Sequence, residues 1–475
     1  MRLKVVRDLL KLENHPEICD FKLLDIPLWI FYRINIFYYV ILTTFGLANP
    51  HVERKLKSLS PKEKFSYLLK TVLINPFVRR KQCRVLAIGY GINNNPENGY
   101  FYNRLHDPFY EILGEKFFLL ETSDKFRYHT PRFCKNLAYF ELTEIITKKF
   151  RKYVKINSNE VCNVAKIFAD YIVDKFKEYF DIDISMFVYD LVSNIKMVVK
   201  QFKIRKFIYE LILNNLKPKL LIIDNAHDGG FGGNVELIRI CKEKNIIVAE
   251  FQHGFISNDH LTYNYGKGVK QCLADFLPDY MLFWGKYWAD GADIPGKKIV
   301  IGFPYISKKF NQLSDRRKEI FILLVSGGKV PEDYVSLAKL LRKAFPGKRM
   351  VFRPHPSERP AVKERYHEII NTGWEIDMEN IYSSLSASEN CISLELSTVL
   401  FEAVLFCNKV LLVRNRANEF CQLYNLPFKI VNNSDELIDS LNANCLNSNS
   451  FNKEELFSSK WEENFHNFLE EIGVL

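Results

Sequence analysis

Positions 220–230 read Leu-Leu-Ile-Ile-Asp-Asn-Ala-His-Asp-Gly-Gly, an uninterrupted apolar run that ends on an acid and opens into a glycine-rich turn. Where every side chain of a strand is apolar, both faces are covered, as in a parallel sheet sandwiched between helices. Comparable runs stand at Arg84–Gly91, Ile246–Glu250, Tyr280–Gly285, Ile299–Gly302, Ile320–Val325, Met350–Arg353, Cys391–Leu394 and Val410–Val413. Most are separated by stretches with helical spacing of apolar residues, so the chain reads as α/β with mostly parallel sheets. No repeat of fixed period interrupts this pattern.

The chain has 475 residues, more than one hydrophobic core supports, which predicts two lobes. Polar Lys308–Arg317 reads as the linker between them, with a fresh strand from Glu319. The expected division is a basic, aromatic extension over 1–80, a first domain over 81–307, a second over 318–450 and a terminal helix over 451–475. The span 161–216 lacks proline and carries dense charge at helical spacing, which predicts one or two long helices inserted in the first domain.

Hydrophobic residues at 47% and charged residues at 26% exclude a globally disordered chain. The net charge of +10 is concentrated: through Arg84 there are 16 Lys and Arg against 7 acids. Such a block suits nucleic acid or an anionic membrane surface, and the aromatic residues within it favour the membrane. Ile26–Gly46 is long and apolar, but it holds Arg33, Asn35 and six aromatic residues in its first fifteen positions. Three readings stay open: a spanning helix, a helix lying in the interface, and a helix packed inside the protein. No cleavable leader is legible, so the mass of the protein is expected in the cytoplasm. The ten cysteines form no CxxC pair and have no histidine at finger-like spacing. They are expected to be reduced and buried, with no metal site.

In parallel sheets, ligands gather beyond the carboxyl ends of the strands. Four groups follow strands in that way. Asp224, His227 and Asp228 leave the 220–223 run, as an acceptor-side wall with a group for proton transfer or as a turn that caps the next helix. Gln252, His253 and Gly254 leave the next run, with His253 placed to take a hydroxyl proton and Gly254 allowing close approach. Arg353, His355 and Ser357 stand in a loop stiffened by two prolines and suited to phosphate oxygens. Ser397 and Thr398 open an apolar helix, an anion site or a plain N-cap pair, with Glu402 one to two turns on for ribose hydroxyls. A weaker fifth element is the turn of Ser326 and Gly327.

The succession QHG (252–254), PDYMLFWG (278–285), IGFP (301–304), RPHPS (353–357) and STVLFEA (397–403) resembles bacterial GT-B glycosyltransferases of capsule, lipopolysaccharide and teichoic-acid synthesis. The resemblance covers about 217–413. It implies two Rossmann-like domains facing a cleft, with nucleotide phosphate on His355, Ser397 and Thr398 and the acceptor activated in the first lobe. It departs from the sialyltransferase pattern in lacking a clear acidic motif, for which Asp228-Gly229 is the one candidate. The expected activity is transfer of a sugar from a nucleotide-sugar co-substrate to a glycan or lipid-linked acceptor at the inner membrane face. His253 or Asp228 serves as base, and neither metal nor nucleic acid is involved. The alternatives are a CDP-polyol phosphotransferase, a non-hydrolysing sugar-nucleotide epimerase and a non-catalytic scaffold of an assembly complex.

Overall fold

The computed structural model describes residues 5–47, 60–79, 81–229, 234–419, 421, 425–443 and 451–475. Gly230, Cys445 and the basic residues Arg2, Lys4, Arg54, Lys55, Lys57 and Arg80 lie outside them. Two parallel sheets dominate. The first contains β1 (Val85–Tyr90), β2 (Phe117–Thr122), β3 (Leu137–Tyr139), β4 (Leu220–Ile223), β5 (Ile247–Phe251), β6 (Tyr280–Phe283) and β7 (Lys297–Val300). Their spatial order is β3-β2-β1-β4-β5-β6-β7. The second contains β8 (Ile320–Val325), β9 (Met350–Arg353), β10 (Glu375–Ile376), β11 (Ser388–Ser393), β12 (Lys409–Val413) and β13 (Lys429–Val431), ordered β10-β9-β8-β11-β12-β13. Every pairing within both sheets is parallel.

Each sheet therefore runs outward from its first strand in one direction, returns, and continues from its fourth strand in the other. This is the doubly wound order, with a crevice where the direction reverses. Two such lobes make the GT-B arrangement that the sequence predicts. Strands β2, β3, β10 and β13 escaped the sequence reading. Phe117-Phe-Leu-Leu was a legible apolar run, whereas β3, β10 and β13 span only two or three residues, too few for periodicity to register.

Among the described residues the α-helices of nine or more residues are α1 (Trp29–Thr44), α2 (Pro61–Leu73), α3 (Glu141–Phe150), α4 (Ser158–Phe180), α5 (Ser185–Ser193), α6 (Ile195–Leu216), α7 (Asn234–Glu243), α8 (Pro304–Leu313), α9 (Pro331–Ala344), α10 (Thr398–Phe406), α11 (Ser434–Asn442) and α12 (Trp461–Glu471). The predicted insertion is α4, α5 and α6, two long helices with a short one between. The expected linker is largely helix instead. Pro304 starts α8 and Tyr305 and Ile306 are buried, while of the lysines that suggested a linker Lys308 is exposed and Lys309 is largely covered and paired with Glu97 at 2.7 Å. α12 returns to the first sheet, where Phe465 packs on Phe109 at 4.7 Å and Phe468 on Tyr280 at 5.2 Å.

Of the three readings of Ile26–Gly46, the packed helix is the one observed. Trp29, Phe31, Tyr32, Ile36, Phe37 and Val40 of α1 are all buried. Among the described residues no helix is long and apolar enough to cross a membrane. The polar residue that argued against a bilayer centre, Arg33, is itself buried, and Glu13 is its counter-charge. Glu13 also accepts from the Trp29 indole at 2.7 Å and from the Gly266 amide at 2.9 Å. Arg33 lies over the Tyr265 ring at 4.1 Å. Further along, the carbonyl of Ile30 stands 2.4 Å from where a Cβ on Gly229 would sit, and Gly229 has φ +65°. Only glycine admits α1 at this distance. The cysteine expectation also needs correcting, because Cys19 is disulfide-bonded to Cys272, with Cα atoms 6.5 Å apart. Residues 253 positions apart leave no spacing signature to read.

Glu13→Ala would strand a buried guanidinium. Breaking such a pair costs about 3–5 kcal/mol, so a large fall in thermal midpoint is expected, against little change for exposed Glu17→Ala. Equal midpoints would remove the pair from its anchoring role.

Candidate functional site

Because the strands are parallel, the loops after β4, β5, β9 and β11 emerge at the carboxyl edges of their sheets. The two edges meet. The ring of Phe255, just past β5, lies 5.4 Å from Phe401 of α10, and Trp288 lies 4.7 Å from the same ring. Thr398 Oγ1 is 3.6 Å from where a Cβ on Gly254 would sit. A cavity of about 240 Å³ opens at this junction, lined by Phe37, Tyr38 and Ile41 of α1, Phe255 and His260 of the first lobe and Lys329 of the second. The helix that resembled a membrane segment is one wall of it.

On the first-lobe side a carboxylate inside a strand organises the loops. Glu250 of β5 is fully buried and accepts the His227 backbone N–H at 2.8 Å, the His227 imidazole at 2.6 Å and the Tyr263 hydroxyl at 2.7 Å. Burial alone would raise its pKa, but the charge and hydrogen bond of His227 and the charge of His253 hold it below the ordinary value. Asp228 moves the other way. Burial raises its pKa, and the neighbouring Glu250 carboxylate adds to the rise, against the opposing charge of His253. The pKa values of the buried Glu250 and of Asp228 on the rim are thus pushed in opposite directions, the pattern found where acid–base roles are divided. His253 is half-buried, with Nδ1 3.4 Å from the Tyr263 hydroxyl.

Three first-lobe candidates have structural work. His227 is enclosed and paired to Glu250, so it does not reach an acceptor. Asp224 is buried 3.0 Å from His106 Nε2. Gln252, expected on an acceptor wall, is fully buried. Its Nε2 donates to the Gly254 carbonyl at 2.8 Å and its Oε1 accepts from the Trp284 amide at 2.9 Å, so it clamps the loop that presents His253. A buried amide must satisfy both ends, and the backbone supplies both.

The second lobe departs further from expectation. Arg353, expected to grip phosphate, is buried and ion-paired to Asp377 at 2.5 Å, because a guanidinium out of water requires a counter-charge. The turn of Ser326 and Gly327 is filled by the protein's own acids. Glu395 accepts from the amides of Gly327 at 2.7 Å and Lys329 at 3.0 Å, and Glu358 accepts from the Ser326 hydroxyl at 2.8 Å. This is an anion cradle with a carboxylate already in it. Glu402, assigned to ribose, is 2% exposed and accepts from the Tyr382 hydroxyl at 3.2 Å. Burial raises its pKa against the charges of Arg104 and Arg353.

Three expected residues remain turned to use. His355 is exposed, its Nδ1 2.6 Å from the Ser357 hydroxyl, which fixes the ring. Ser397 precedes α10 as its N-cap, yet makes no capping hydrogen bond, and its buried hydroxyl has no partner among the described residues. Thr398 follows at the first helical position. A helix start with unpaired amides and an unsatisfied hydroxyl can take an anion's oxygens. Sequence reasoning did not single out Glu250, Tyr263 or Arg104. An acid in the middle of Ile247-Val-Ala-Glu-Phe was a usable signal, since buried acids need partners. Arg104 follows the short strand Tyr100–Asn103, which the sequence does not announce by any apolar run.

No protein-family model and no curated protein matches the sequence. Among solved structures, the UDP-GlcNAc 2-epimerase from Methanocaldococcus jannaschii is similar at 13% identity, over 82% of this chain and 99% of that one, with TM-score 0.47. A ugt transferase from Siraitia grosvenorii in complex with UDP is similar at 8% identity, over 82% and 100%, with TM-score 0.38. HepE from Anabaena in complex with UDP is similar at 12%, over 82% and 100%, with TM-score 0.38. All three scores are below 0.5, and the fold rests on the strand order of the two sheets.

Replacing Glu250 with Gln removes a negative charge beside Asp228, so the Asp228 pKa should fall towards the ordinary carboxylate value while burial keeps it from reaching it. Tyr263→Phe keeps the charge and should leave Asp228 raised. Carbon-detected NMR titration of the Asp228 carboxyl reads both, and an unchanged pKa in Glu250→Gln would show that the two carboxylates do not interact.

Proposed function

We propose that the protein is a glycosyltransferase that moves a sugar from a nucleotide-sugar donor to a glycan or lipid-linked acceptor. The observation that carries this reading is the meeting of two unlike edges. An acid–base rim, Asp228 and His253, stands on one lobe, and the anion-ready start of α10, with its unpartnered Ser397 hydroxyl, stands on the other. Residues 81–307 would then form the acceptor lobe and 318–450 the donor lobe.

On this reading the donor diphosphate lies against the amides at Ser397 and Thr398 with His355 beside it. The acceptor hydroxyl oxygen attacks the anomeric carbon as the bond from that carbon to the phosphate oxygen breaks. The acceptor proton passes to Asp228, whose pKa burial raises and so makes it a stronger base than an ordinary carboxylate, or to His253. The electron pair of the broken bond stays on the nucleotide diphosphate, where fixed donors act most strongly as charge develops. The reading calls on no metal or further cofactor. Surface-polysaccharide synthesis at the inner membrane face is the setting that the sequence motifs suggest.

A second reading has its own observation. Each lobe brings one carboxylate to the cleft, half-buried Asp228 on one side and Glu395, which lines the cavity, on the other, as sugar-nucleotide epimerisation would require. Incubation with UDP-, GDP-, dTDP-, CMP- and CDP-linked compounds separates the two. Transfer predicts nucleotide release dependent on an acceptor, while epimerisation predicts an isomerised donor with none. His253→Ala and Asp228→Asn should each lower acceptor-dependent release by about a hundredfold or more, the range for a lost general base. Because the base must be deprotonated, the acid limb of kcat/KM should lie above the ordinary carboxylate range and be absent in Asp228→Asn if Asp228 is the base. Thr398→Val should weaken donor use roughly tenfold. Full turnover in both Asp228→Asn and His253→Ala would sink the assignment of the rim.

A further inference from the structure

α2 is amphipathic in the reverse sense for a packed helix, because its apolar stripe faces solvent. Phe65, Leu68, Leu69, Val72 and Leu73 recur at helical spacing and are 45–67% exposed. The inner face carries Tyr67, Thr71 and Ile74. Thr71 hydrogen-bonds the Tyr128 hydroxyl at 2.7 Å, and Tyr67 stacks on Tyr128 at 5.3 Å. The helix is also anchored at its start by a capping box, in which the Ser60 hydroxyl accepts from the Glu63 amide and the Glu63 carboxylate accepts from the Ser60 amide. The exposed stripe is therefore held out by a fixed helix. It continues in exposed Val78 and in Phe126, whose ring meets Tyr67 at 5.5 Å.

Charge follows the stripe. Lys62 and Lys64 are exposed at its flanks, and Lys70 and Arg79 stand nearby. The one acid of the helix, Glu63, is partly exposed but neutralised by Arg127 at 2.8 Å. Residues 60–79 carry four cations and one acid, a net +3. An exposed apolar stripe flanked by lysines and free of unpaired acid complements a surface that is apolar within and anionic at its face. A second copy of the same face would bring like charges together.

We propose that α2 is the membrane-docking element, seated with its apolar stripe among the acyl chains of an anionic bilayer and its lysines at the headgroups. The membrane contact thus belongs to residues 60–79 and not to α1, whose Trp29, Phe31, Tyr32 and Phe37 are spent on the core and whose Tyr38 lines the cavity. This inference is independent of the transfer reading, because it concerns lipid binding alone.

The test is flotation of the full chain with vesicles rich in phosphatidylglycerol, compared with phosphatidylcholine alone. Wild type should float with the anionic vesicles and lose binding as salt rises. Leu68→Glu/Val72→Glu should bind about tenfold more weakly or less, and Lys62→Glu/Lys64→Glu by a similar factor, each near-surface Lys contributing several-fold. Both pairs are exposed, so thermal midpoints should match wild type and certify the fold. Tyr38→Glu, on α1, should float as wild type does. Undiminished flotation of the Leu68→Glu/Val72→Glu protein would overturn the proposal. So would light scattering showing a wild-type dimer that this variant converts to monomer.

Discussion

One buried carboxylate sets the geometry of the first-lobe rim. Glu250 lies inside a parallel strand where no water can solvate it, so it must be satisfied by protein donors. The donors it takes are the backbone and ring of His227 from the loop after β4 and the hydroxyl of Tyr263 from the segment after β5. Two loops from neighbouring strands are thereby locked to one point, and Asp228 and His253 are carried on those same loops. Glu250 also supplies part of the field that raises the Asp228 pKa. Glu250 thus fixes the position of the rim and adds to the rise that burial gives Asp228.

The N-terminal segment makes that rim part of a cleft. Glu13 and Arg33 neutralise each other beside the loop at 264–266, and α1 crosses the Asp228-Gly229 turn at a distance that only glycine permits. A charged pair buried in this way contributes little net stability but strongly penalises any arrangement that separates it, which fixes where α1 must lie. The result is an apolar wall beside a polar rim, which on the proposed transfer reading suits an acceptor with both hydroxyl and apolar parts.

The alternation of doubly apolar strands with helices was legible, and so were the two lobes, because parallel sheets write continuous apolar runs. Very short edge strands were not, since two or three residues carry no period. Ser397, Thr398 and Asp228 were singled out from their position after strands, and the structure places them at the carboxyl edges of the two sheets. Arg353 and the Ser326–Gly327 turn were misread for one physical reason. A sequence shows that a cation or an amide nest exists, but not whether a distant acid already occupies it, and here Asp377, Glu358 and Glu395 do. The buried state of Trp29 and Phe37 was equally hidden, since an aromatic helix bound for a membrane and one bound for a core have the same composition.

The central claim is that the start of α10 holds the donor's diphosphate opposite the Asp228 rim. A crystal structure with an intact nucleotide sugar tests it most directly. The account predicts phosphate oxygens within hydrogen-bond distance of the Ser397 hydroxyl and the Thr398 amide, with Glu395 still seated on Gly327 and Lys329. Phosphates found instead in the Gly327 turn with Glu395 displaced, or a sugar turned away from Asp228 and His253, would contradict it.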